Sequence, residues 1–73
     1  MKIYNEVLRD LREDKDLKQE DIAKILNMKQ QQYSNYECGK RALPIEHLIT
    51  LCKFYNISAD YILGLPDLPY PKR

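Results

Sequence analysis

Tryptophan is absent from the 73 residues, phenylalanine and histidine occur once each, and there are two glycines and two cysteines. Each scarcity excludes something. Two glycines cannot build a glycine-rich phosphate loop, and none of the nucleotide-binding loop patterns is present. Cys38 and Cys52 alone make no disulfide framework. Together with His47 they lack a fourth metal ligand and any recurring spacing, so neither a metal nor a cofactor is expected. No uninterrupted apolar run approaches the roughly 18 residues of a membrane span. The opening MKIYNEVLRD has no apolar signal-peptide core, so a cytoplasmic protein with no membrane partner is expected. His47 has no nucleophile paired with it in sequence, and the chain is too short to enclose both a pocket and a core, so no enzyme is expected.

A chain of this length forms one small domain and buries only about 60% of the surface that it exposes when unfolded. Six tyrosines supply most of the aromatic packing, and charged residues make up 32%. The net charge of +1 is low for a nucleic-acid-binding domain. Its distribution matters more than its sum. Residues 1–16 hold five acids against four bases, whereas Lys29 to Arg41 holds three bases and one acid, Glu37.

The pattern of the chain is helical up to the Pro-rich tail. Val7, Leu8 and Leu11 give a stripe to a first helix from about Tyr4 to Lys15. Asp16 follows, where a left-handed residue would end that helix. A second helix runs from about Gln19 to Leu26, with Ile22, Ala23 and Leu26 on one face. Asn27 marks a tight turn, since Asn tolerates positive φ better than any residue except Gly. A third helix, about Gln30 to Glu37, has Tyr33 and Tyr36 inward with Met28 before them. Its outer ridge is Lys29, Gln30, Gln31, Gln32 and Asn35, mostly amides that donate and accept at once, as base edges require. Lys18 and Lys29 stand at N-cap positions although lysine accepts no hydrogen bond, so both helix starts are expected to be weakly capped; Glu20 and Asp21 compensate through the helix dipole. Pro44 opens a fourth helix with an inner stripe of Leu48, Leu51, Cys52 and Tyr55, ending near Asn56. Cys52 is read as buried and Cys38 as exposed. Ser58 caps a short fifth helix, Ala59 to Leu63, which Gly64 terminates.

These residues resemble the helix-turn-helix family of phage repressors, Cro proteins and xenobiotic-response-element-type bacterial regulators. The family pattern is Arg, four residues, Leu, any, Gln, two residues, Leu-Ala, two residues, Leu-Gly, then Ser, two residues, Glu, any, Gly, Lys/Arg. Here it stands as Arg12, Leu17, Gln19, Ile22-Ala23, Leu26-Asn27, Ser34, Glu37, Gly39 and Lys40-Arg41. The likeness continues through Leu48 to Cys52 and Ser58 to Gly64, covering about residues 6–65.

The resemblance implies an all-α, compact five-helix lambda-repressor-like DNA-binding domain over residues 1–65, followed by a Pro-rich tail at 66–73. It implies an ion pair between Arg12 and Glu37 beneath the recognition helix. It assigns base readout to Lys29, Gln30, Gln31 and Asn35. It assigns DNA-backbone contact to Lys18, Gln19, Gln32, Ser34, Lys40 and Arg41. The function implied is a sequence-specific regulator of transcription, a repressor first, that binds double-stranded DNA as a homodimer on a palindromic operator. In relatives, subunits often meet near the fifth helix. Two alternatives stay open: an antitoxin-type regulator whose tail holds a toxin protein, and a protein-interaction module that has lost DNA binding.

Overall fold

A computed structural model describes residues 3–64. Within them the chain forms α1 (Tyr4–Asp14), α2 (Gln19–Ile25), α3 (Gln30–Glu37), α4 (Ile45–Tyr55) and α5 (Ala59–Leu63). The architecture is all-α, with no strand among the described residues and no helix long and apolar enough to cross a membrane. The Pro-rich tail lies outside the described residues.

One device closes α1, α2, α3 and α4. After each helix a residue turns left-handed, and the next N–H reaches back five residues to a carbonyl. Leu17 N–H bonds Arg12 O at 3.1 Å, Met28 bonds Ala23 O at 2.9 Å, Lys40 bonds Asn35 O at 2.9 Å and Ile57 bonds Cys52 O at 3.0 Å. The left-handed residues are Asp16 (φ 55°), Asn27 (φ 57°), Gly39 (φ 83°) and Asn56 (φ 57°). This arrangement satisfies carbonyls that the end of a helix leaves without partners. It also explains two boundaries. α1 stops at Asp14 and α2 at Ile25, each one residue short of the sequence expectation, because the closing turn takes Lys15 and Leu26 out of the regular helix. Pro44 is likewise just outside α4: its ψ of 148° is extended, and its carbonyl accepts from His47 and Leu48.

The core is one cluster of Leu8, Ile22, Ala23, Leu26, Tyr33, Tyr36, Leu48, Leu51, Tyr55 and Ile62. Leu8, Ile22, Leu51 and Ile62, each fully buried, contribute about 1.5–3 kcal/mol apiece relative to exposure. α2 and α3 form the most extensive helix pair, with Ala23 buried in α2. α1 packs on α3 and α5, and α4 on α5. Cys52 departs from its expectation. It is half-buried at the core's edge, not enclosed, and that burial is enough to push its thiol pKa up. Cys38 is exposed.

Candidate nucleic-acid interface

The inner side of α3 is fixed by its own sequence. Tyr33, Tyr36 and Glu37 are buried, so only the amide ridge is left for solvent. Glu37 is a carboxylate in an apolar setting, and such a group is costly unless paired. Arg12 reaches it from α1 through two contacts, Nε to Oε2 at 3.0 Å and Nη2 to Oε1 at 2.8 Å. The two side chains are 13% and 3% exposed. Arg12 Nη1 also donates to Leu17 O at 2.8 Å, tying the chain that enters α2 to the same point.

Gln19 joins this cluster: its Nε2 donates to Glu37 Oε1 at 3.2 Å. Burial acts to raise the Glu37 pKa, but hydrogen bonds from Arg12, proximity to the Tyr33 hydroxyl and the bond from Gln19 outweigh it and hold the carboxyl below the ordinary range. Burial pushes the Tyr33 hydroxyl far up and that of Tyr55 up to about 12, with Glu37's charge adding to both. Among the described residues neither hydroxyl has a partner at hydrogen-bond geometry.

The start of α2 is better held than its lysine cap implies. Lys18 makes no side-chain cap bond, as an ammonium has no acceptor. Its backbone N–H is nevertheless taken by Asp21 Oδ2 at 2.8 Å. Asp21 thus does more than complement the helix dipole. Lys29 makes no cap bond at the start of α3.

On the outer side, Lys29, Gln30, Gln31, Gln32, Lys40 and Arg41 are exposed, and Ser34 and Asn35 half-exposed. Gln31 Nε2 donates to Asn35 Oδ1 at 3.2 Å, one turn along the helix, and Gln32 Nε2 donates to Tyr36 Oη at 3.4 Å. Lys29, Gln31, Gln32, Asn35, Tyr36 and Arg41 line an open concavity of about 350 Å³. Gln30, Ser34 and Lys40 are outside its lining. The loop that brings Arg41 there hangs from α3, since Asn35 O accepts from Lys40 N–H, from Arg41 N–H and, weakly, from Cys38 Sγ. Its far end is tied to α1 by Leu43 N–H donating to Tyr4 Oη at 3.2 Å. Sequence reasoning treated Tyr36 as core alone. The signal for its second role was Gln32 four residues before it, which sets an amide beside the phenol on a helix.

Comparison with known proteins gives three findings. A helix-turn-helix family profile matches residues 8–62. The chain is 37% identical over 70 residues to YobD, an uncharacterized HTH-type transcriptional regulator of Bacillus subtilis, covering 96% of this chain and 62% of that protein. Its fold superposes with a TM-score of 0.84 on a crystal structure of a transcriptional regulator from Listeria innocua, at 28% identity, over 94% of this chain and 64% of that one. The chain therefore spans less than two thirds of either relative. With its five helices, its pinned α3 and this match over most of its length, the chain belongs to the helix-turn-helix family of phage repressors, Cro proteins and related DNA-binding bacterial regulators of transcription.

Proposed function

We propose that this chain represses transcription by binding a palindromic operator as a homodimer, with α3 of each subunit in a major groove. One observation carries the reading. α3 is anchored from beneath by a buried, bidentate ion pair, while its amide ridge opens on solvent beside two cations in one concavity. A helix that must present base-reading groups in register needs that combination of a fixed inner face and a polar outer one.

Lys29, Gln30, Gln31 and Asn35 are the base-reading set. Gln and Asn pair bidentately with adenine, each good pair contributing about 1–3 kcal/mol of discrimination. Lys18, Gln32, Ser34 and Lys40 hold the phosphate backbone. Gln19 does so with the second hydrogen of its Nε2, the first being given to Glu37. The local excess of cations is small, so the affinity of a single subunit is modest and pairing is needed. Tyr61 at 60% and Leu63 at 38% exposure on α5 support a second copy of the chain meeting there.

Selection from randomised duplex DNA, followed by titration of the enriched duplex at several salt concentrations, tests the reading. The expected result is a two-fold symmetric consensus with half-sites about one helical turn apart, bound more weakly as salt rises. Sedimentation of the complex should show two chains per duplex. Failure of folded protein to enrich any sequence at low salt would overturn the proposal and favour a protein-interaction module.

A further inference from the structure

We infer that Arg41 is a specificity-determining residue that reads guanine, and that it does not serve as a phosphate contact. The inference rests on the DNA-binding reading above. In sequence, Lys40 and Arg41 are an interchangeable pair of cations after a glycine. The structure separates them. Both N–H groups bond Asn35 O, at 2.9 and 3.1 Å, so the backbone of both is fixed to the last turn of α3. Only Arg41 then lines the concavity shared with Lys29, Gln31, Gln32 and Asn35. Lys40 is exposed outside it.

The position brings a cation from the loop across from the amides of the helix. A base pair whose edge meets Gln31 and Asn35 comes within the same hollow as the guanidinium. Among the described residues the Arg41 side chain makes no ion pair or hydrogen bond, so its donors are uncommitted. Guanidinium is a planar fork that matches the O6 and N7 acceptors of guanine in the major groove, a fixed geometry that the point charge of a lysine ammonium lacks. The neighbouring amides suit adenine. A half-site that sets a guanine beside an adenine step is therefore the ligand this hollow fits.

The test uses the selected operator and duplexes carrying every base at every half-site position, titrated with the wild-type chain, Arg41→Ala, Arg41→Lys and Lys40→Ala at two salt concentrations. Arg41→Ala should lose the preference for guanine at one position by about 5- to 100-fold, with the other positions unchanged. Arg41→Lys should retain the salt dependence and keep at most part of that preference. Lys40→Ala should weaken all duplexes alike and flatten the salt dependence. Uniform weakening by Arg41→Ala, with the base profile unchanged, would overturn the inference and return Arg41 to the phosphate backbone. A wild-type chain that binds no duplex would instead remove the DNA-binding reading itself.

Discussion

Replacing Arg12 by Ala tests the physics under α3 most directly. The substitution leaves Glu37, with a side chain only 3% exposed, as a buried carboxylate that has lost its bidentate partner. Gln19, at 3.2 Å, remains as a neutral donor. Breaking a buried pair in this way costs about 3–5 kcal/mol. The lower end applies here, because Arg12 keeps 13% of its side chain in solvent. A loss of about 3 kcal/mol is a large share of the roughly 4–11 kcal/mol a chain of this size possesses. It lowers the melting temperature by about 12–24 °C.

The pH dependence is the sharper readout. In the wild type, Glu37's folded pKa is below its unfolded value, so its contribution is present above about pH 4.3 and is lost as pH falls through the folded pKa. In Arg12→Ala, burial is left to dominate and the folded pKa rises above the unfolded one. The variant should then gain stability as pH is lowered from 7 toward about 4.5, where the wild type gains nothing from this residue. The double variant Arg12→Met/Glu37→Leu should recover most of the loss, since no charge is left stranded. Thermal and urea unfolding of these chains at pH 5 and 7 decide the matter. A loss below about 1 kcal/mol with the wild-type pH slope would place the pair among solvent-screened surface contacts and refute the reasoning.

Gln31→Ala should relax base preference at one or two operator positions while leaving the melting temperature unchanged; an unaltered preference in the selection assay would remove Gln31 from readout. Asp16→Gly should raise stability by up to about 1 kcal/mol in urea titration, because φ at 55° costs an L-residue more than glycine's added chain entropy. Tyr55→Phe should fold with undiminished stability at pH 7, since the hydroxyl it deletes is buried without a partner among the described residues. It should also blunt the alkaline loss of stability. A tyrosine whose folded pKa is raised to about 12 contributes fully below its unfolded pKa near 10, and that contribution fades as pH climbs from 10 through 12.

The helices and turns were legible because each rests on a local signal. Apolar periodicity gave α1 to α4, the Ser58 cap and the Gly64 stop gave α5, and Asp16, Asn27, Asn56, Gly39 and Gly64 are residues that accept positive φ, placed where helices end. What stayed hidden depends on which way a side chain turns once the helices are packed. Gln19 reads as an outward amide, yet it bends toward Glu37, where a buried carboxylate is stabilised by a further donor. Asp21 reads as a dipole partner, yet its oxygen bonds the Lys18 N–H directly. Lys40 and Arg41 are the same kind of residue in sequence, and only the path of the loop over α3 tells them apart. Met28 and Cys52, apolar in any pattern, proved half-buried because they sit where the core meets the surface.

Where the loop leaves α3, Lys40 and Arg41 are suspended from the main-chain oxygen of Asn35 and not from that residue's side chain. Every amino acid offers that oxygen. The side chain at position 35 can therefore be exchanged, and with it the base that the proposed function has it read, without unhooking the segment that holds Lys40 and Arg41. On the proposed DNA-binding reading, the path of the loop and the choice of base are thus separable: a substitution at position 35 would change a base preference while the main-chain fixture of the loop stays intact.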